Sequence, residues 1–105
     1  MNRVDFQQLA DLRVSEAKCL LDNGFYEGAY YLIGYAVECV FKSALAKQIK
    51  QHDFPDRKLI NDSYTHDLTK LLRLSGLEQI HDQEQKSNSN FAVNWAIVKD
   101  WSEEK

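Results

Sequence analysis

The longest apolar pattern in the chain runs from Gly24 to Lys47 and predicts one helix between Tyr26 and Gln51. At a helical step of roughly 100° per residue, its side chains divide into a broad apolar arc and a narrow opposite arc. The broad arc contains Ala29, Tyr30, Leu32, Ile33, Ala36, Val37, Cys39, Val40, Phe41 and Ala44, and the narrow arc contains Tyr31, Tyr35, Glu38 and Lys42. A helix that is apolar over more than half of its circumference needs several neighbours. We therefore expect it to be the central helix of a small bundle.

Shorter patterns predict the neighbours of this helix. A first helix from Val4 to Asp22 ends at Asn23-Gly24, and the short link makes the first two helices antiparallel neighbours. Beyond a loop that contains Pro55, three further segments are predicted. They are a third helix His66–Ser75 with Thr65 as its N-cap, a short helix Leu77–Gln83, and, after a polar loop Asp82–Asn90, a last helix from Phe91 towards Lys105. The fold class is therefore all-α, an up-and-down bundle of four to five helices.

Composition bounds the function more than it defines it. The 105 residues suffice for one domain, and a net charge of −3 argues against indiscriminate binding to nucleic-acid phosphates. Cys19 and Cys39 form no CxxC pair, so we expect two buried free thiols in a reducing compartment. The three histidines lack zinc-site spacing, and no apolar run is long enough to span a bilayer. These features predict a cytoplasmic protein without metal, cofactor or membrane association.

The chain reaches Lys105 without a helix stop signal. Two explanations stay open: the natural protein continues beyond Lys105, or the last helix packs on something outside this chain.

Candidate chemistry is concentrated on the narrow arc of the central helix. Glu38 and Lys42, four residues apart, are expected to form a helical ion pair worth about 0.3–0.5 kcal/mol. The flanking Tyr31 and Tyr35 could stack on a base or close a dimer interface. Arg13 lies in the apolar stripe of the first helix, where it either extends its charge to water or forms a structural ion pair with Glu38.

Two further features allow a functional and a structural interpretation. His66-Asp67 could supply acid–base chemistry near neutral pH, but on the residues alone capping and loop packing are the favoured explanation of the pair. Arg57-Lys58 could meet a phosphate, although solvated surface charge is the commoner role of such a pair. The glycine-rich phosphate loop, HExxH and GxSxG are all absent from the sequence.

Three segments, around Cys19–Lys47, Phe54–Leu77 and Asn94–Lys105, together resemble the HEPN family of small helical domains. The residues that carry the resemblance are Leu20, Leu21, Gly24, Tyr26, Ala29, Tyr30, Ala36–Cys39, Lys42 and His66–Leu68. The resemblance implies a four- or five-helix bundle that is commonly a homodimer. Many members are ribonucleases of toxin–antitoxin or defence systems, and others pair with a small nucleotidyltransferase or bind nucleotide.

The ribonucleases of this family have an arginine followed by a histidine after four to six residues. Here eight residues separate Arg57 from His66, and seven separate Arg73 from His81. What carries over by position is Glu38, Lys42, His66 and Asp67. The resemblance thus favours a non-catalytic domain that binds nucleotide, nucleic acid or a nucleotidyltransferase-like partner through Tyr31, Tyr35 and these four residues. The alternatives are a metal-independent ribonuclease using His66 and Arg57, or a structural dimerisation domain.

Overall fold

The computed structural model describes residues 2–51 and 57–102, with the side chains of 49–51 left aside. The described residues form six helices and no strand. These are α1 (Arg3–Asp22), α2 (Tyr26–Gln51), α3 (Arg57–Asp62), α4 (Leu68–Ser75), α5 (Glu78–Ser87) and α6 (Ser89–Val98). The prediction of an all-α bundle with a long second helix is confirmed.

The first two helices form an antiparallel hairpin. Gly24 adopts the left-handed conformation with a φ of 81°, and the Phe25 amide donates to the Leu20 carbonyl at 2.8 Å. At the other end of the hairpin, the Ser43 hydroxyl donates to the Arg3 carbonyl at 3.3 Å. Small side chains line the interface on both helices and allow close approach: Ala10, Ala17, Ala29 and Ala36 are all buried.

The hydrophobic core lies on another side of α2, between that helix, α4 and the end of α6. Its buried members are Phe41, Leu68, Leu71, Leu72, Val98 and Trp101. Gly76 ends α4 with a φ of 79°, as expected for the left-handed residue after a helix. Because α4 begins beside the middle of α2, its first residues face the narrow arc of the central helix. This arc, called the polar arc below, consists of Tyr31, Tyr35, Glu38 and Lys42.

Several boundary predictions were wrong, each for a local reason. Asp67, rather than Thr65, caps α4, since its carboxylate accepts from the Lys70 amide at 3.1 Å. The segment Asp82–Asn90 was predicted as a loop, but α5 continues to Ser87. Its polar residues are helical without a core-facing stripe, supported by pairs such as Lys86–Asp82 at 3.0 Å.

The last helix also differs from its prediction. Asn88 caps α6 by accepting from the Phe91 amide at 3.1 Å, so the helix begins at Ser89, two residues before the predicted start at Phe91. The helix ends at Val98, well before Lys105, and the chain then turns so that Trp101 enters the core. Cys39 is buried as expected, whereas Cys19 is exposed; both thiols are free. The predicted loop residues Phe54 and Pro55 lie outside the described part of the chain.

Candidate functional site

A buried carboxylate organises the polar arc of α2. Glu38 accepts from the Lys42 ammonium at 3.2 Å through one oxygen and lies 2.6 Å from His66 Nδ1 through the other. The Glu38 side chain is only 7% exposed and that of Lys42 17%, whereas the His66 side chain is 43% exposed. The buried acid is therefore compensated by two partners, and only the imidazole extends from it towards solvent.

This contact defines the chemistry of the imidazole. An ionised carboxylate can only accept hydrogen bonds, so Nδ1 of His66 is the nitrogen that carries a proton. Any further acid, base or acceptor role of the ring is then exercised through Nε2. The contact with Glu38 also fixes the orientation of the ring. The place of His66 along the chain is fixed separately, because the next residue, Asp67, caps α4.

Aromatic rings cover the rest of the polar arc. Trp101 packs edge-to-face on Tyr35, with ring centroids 4.9 Å apart, and lies 6.0 Å from the ring of Tyr31. The two tyrosine hydroxyls are 3.4 Å apart. The indole fits because residue 34 is glycine: a Cβ at Gly34 would lie 2.2 Å from Trp101. The narrow arc of α2 is thus largely covered by the chain itself.

Two clefts share the Trp101–Ser102 segment as part of their lining. The first, called here the polar cleft, has a volume of about 510 Å³ and is lined by His66, Asp67, Lys99, Asp100, Trp101 and Ser102. The second, called the aromatic cleft, has a volume of about 450 Å³ and is lined by Tyr26, Glu27, Tyr30, Tyr31, Trp101 and Ser102. Both volumes are in the range of small-molecule sites.

The structure brings together most of the residues predicted to form the site, but not in equal roles. Glu38, Lys42, Tyr35 and His66 converge. Glu38 and Lys42 line neither cleft, so they support His66 from behind instead of facing a ligand. Asp67 reaches the polar cleft while it caps α4.

Two predicted participants lie elsewhere. Arg13 forms its ion pair with Glu16 on its own helix rather than with Glu38. The reason is geometric: α1 packs on one side of α2, and Glu38 points to α4 on another. Arg57 is exposed at the first position of α3 and is not among the described residues that line the polar or the aromatic cleft.

Sequence reasoning missed the cleft residues contributed by the end of the chain. Lys99, Asp100, Trp101 and Ser102 follow the last residue of α6, and the sequence predicted a continuing helix there. The available signal was Trp101 itself, an aromatic residue too large to leave exposed in a polar tail. Glu27 and Tyr26 were also missed, because they stand at the first turn of α2, outside the arc that the helical wheel singled out.

Other classes of site find no support in the described residues. Within them, His, Cys, Asp and Glu side chains form no group of three or more that could hold a metal ion. None of the described helices combines the length and apolarity needed to cross a membrane. Comparison with protein-family models, curated proteins and solved structures finds no match to this chain.

Proposed function

We propose that this domain binds a ribonucleotide or single-stranded RNA in the polar cleft without cleaving it. The observation that carries the proposal is His66, held by the buried Glu38 and opening on a cleft that Lys99 also lines. The Lys99 ammonium suits phosphate oxygens, which are strong acceptors, and Nε2 of His66 can accept a hydrogen bond from a ribose hydroxyl. Three further points are also proposals: that the chain belongs to the HEPN family, that it forms a homodimer, and that it has a nucleotidyltransferase partner.

The mixed charge of the cleft favours a ribonucleotide over a simple anion. Asp67 and Asp100 line the same space as Lys99 and His66. A carboxylate repels a bare phosphate but accepts hydrogen bonds from ribose hydroxyls, and the 2′-hydroxyl distinguishes RNA from DNA. The acidic chain as a whole also gives little non-specific attraction to a phosphate backbone. We therefore expect short RNA to bind better than DNA of the same sequence.

The test is a titration of a fluorescently labelled RNA hexamer against the wild type and Lys99→Ala. A charge-assisted hydrogen bond contributes about 1.5–3 kcal/mol, so the variant should bind at least about tenfold more weakly. Lys86→Ala is the matched control, since it removes the same charge from an exposed site on α5. The absence of saturable binding by the wild type at millimolar RNA or mononucleotide would remove the proposal.

A metal-independent ribonuclease is the second candidate, favoured by one observation: a carboxylate–imidazole pair at 2.6 Å has the geometry of an oriented general base. In that reaction His66 Nε2 would take the proton of a ribose 2′-hydroxyl as its oxygen attacks the adjacent phosphorus. The bond to the 5′-oxygen breaks, that oxygen takes a proton from water, and a 2′,3′-cyclic phosphate forms. Arg57 has no described place at the cleft, so Lys99 would have to hold the phosphate.

Cleavage of a labelled RNA by the wild type, His66→Ala and Glu38→Gln distinguishes the two candidates. A ribonuclease should lose about 100-fold or more of its rate in His66→Ala. Glu38→Gln should also lose rate, because an amide does not stabilise the imidazolium that forms. Equal and negligible cleavage by all three proteins, with RNA binding retained by the wild type, supports the binding domain.

A further inference from the structure

We propose that the aromatic cleft is a base-binding subsite, and that it prefers bases presenting amino donors, such as cytosine, over uracil. The inference rests on the proposed function, because it assigns the base of the same ligand whose phosphate lies in the polar cleft. It is carried by the tyrosines of the first turns of α2 and by Glu27 beside them.

The aromatic cleft offers a ring surface that is already in place. Tyr26 is 68% exposed and Tyr30 36% exposed, so both rings are open to a ligand. The Tyr30 hydroxyl donates to the Ile97 carbonyl at 3.1 Å, which ties this ring to the end of α6. Tyr31 is held by the hydroxyl contact with Tyr35 and by the indole of Trp101. Rigid aromatic side chains bind bases by stacking with little loss of conformational freedom.

The position of the aromatic cleft relative to the polar cleft is what makes a nucleotide the fitting occupant. Trp101 and Ser102 line both clefts, so the two clefts adjoin at this segment and one ligand can contact both. Trp101 is itself buried, with its indole against Gly34, and forms a fixed wall instead of a stacking partner. The polar cleft is lined by Lys99 and His66, and the described residues that line the aromatic cleft include no cation. Phosphate and base are thus assigned to different clefts by charge.

Glu27 gives the aromatic cleft its selectivity. It is the one charged side chain among the residues described as lining this cleft, and an ionised carboxylate is an acceptor without donors. Carboxylates accept from the N4 amino group of cytosine, whereas the corresponding O4 of uracil is an acceptor and would be repelled. A preference for cytosine over uracil therefore follows from the chemistry of one residue.

The experiment compares three RNA hexamers of equal charge: oligocytidylate, oligouridylate and an abasic ribose–phosphate chain. The wild type should bind oligocytidylate about tenfold more tightly than oligouridylate. It should bind the abasic chain more weakly than either, with an affinity that still depends on Lys99. Glu27→Gln should remove the preference for cytosine without abolishing binding.

Tyr26→Ala and Tyr30→Leu should each weaken both base-containing hexamers about tenfold or more and leave the abasic chain unchanged. Tyr26 is exposed enough that its truncation does not threaten folding, and Tyr30→Phe should keep the ring and the affinity. Tyr64→Ala, which removes an 83% exposed ring outside both clefts, is the matched control.

The outcomes separate this inference from the function on which it rests. Equal affinity of the wild type for all three hexamers, still lost in Lys99→Ala, would overturn the base subsite and retain the polar cleft. A cytosine preference that persists in Glu27→Gln would overturn the role of Glu27. Binding to none of the hexamers would defeat the proposed function itself.

Discussion

At the scale of single residues, Gly34 illustrates how much depends on one missing methyl group. Its hydrogen leaves the space that the indole of Trp101 fills, and an added Cβ would lie 2.2 Å from the indole ring atoms. Gly34→Ala should therefore destabilise the fold by about 1–3 kcal/mol, even after the gain in helix propensity. Urea denaturation followed by circular dichroism measures the loss.

Gly28→Ala is the matched control in the same helix. Its added Cβ would meet only the flexible end of Leu20, at 3.2 Å, so propensity should dominate and the variant should be as stable as the wild type or up to about 1 kcal/mol more stable. Equal changes in the free energy of unfolding for Gly34→Ala and Gly28→Ala would contradict the close packing of Trp101 on Gly34.

The predictability of the site from the sequence also varies residue by residue. Glu38, Lys42 and His66 were predicted because helical spacing places the first two together and a resemblance places the third. Glu38–His66 itself spans 28 positions, so no local pattern encodes it. One of the two alternatives for Arg13 paired it with Glu38, because a charge in an apolar stripe needs compensation, but Glu16, three residues away on the same helix, is the partner.

At the scale of elements, the α5–α6 hairpin is built around His81. Its ring lies 4.4 Å from that of Trp95 and 5.1 Å from that of Phe91, measured between centroids, and its Nε2 is buried without a hydrogen-bond partner among the described residues. Burial lowers the pKa of His81, and the charge of Asp82 opposes this shift only in part. Glu78 also lines the cleft beside His81. The packed hairpin therefore favours the neutral imidazole.

A pH dependence of stability follows from that preference. Below the ordinary histidine pKa of about 6.5, the unfolded chain binds a proton at His81 that the native state resists. The contribution of His81 is thus fully present above about pH 6.5 and is lost as the pH falls through the lowered native pKa. When the pH is lowered from 7.5 to 5, the urea midpoint of the wild type should fall more than that of His81→Phe. This variant keeps a ring between Trp95 and Phe91. Identical falls in both proteins would contradict this assignment.

The same scale explains which elements the sequence predicted well. The bounds of α2 and the end of α1 at Asp22 follow from long apolar periodicity and a Gly24 stop, both of which are local. The last turn of α5, beyond Gln83, was missed because the ten residues of this helix include no buried one, so its full length does not appear in an apolar pattern. The end of α6 was missed because the turn into Trp101 is determined by tertiary packing, which overrides local propensity.

At the scale of the whole molecule, Trp101 connects the core to both clefts. It is 4% exposed, belongs to the core cluster with Phe41 and Leu68, and lines the polar and the aromatic cleft together. A domain of this size has a total stability of about 5–15 kcal/mol, so one large core side chain is a substantial share of it. The short segment between α6 and Ser102, which carries Trp101, is therefore part of the folded core.

Trp101→Ala should cost about 3–5 kcal/mol, because it removes a large buried side chain and leaves a cavity against Gly34 and Tyr35. Trp101→Phe should cost much less, since it keeps an aromatic ring and removes an indole N–H that is buried without a partner among the described residues. Thermal and urea denaturation of both variants measure the difference, with Tyr64→Ala as an exposed aromatic control. Because Trp101 lines both clefts, Trp101→Ala should also bind RNA more weakly under conditions where the variant is still folded. Near-native stability of Trp101→Ala would contradict the packing of Trp101 in the core and, with it, the shared wall of both clefts.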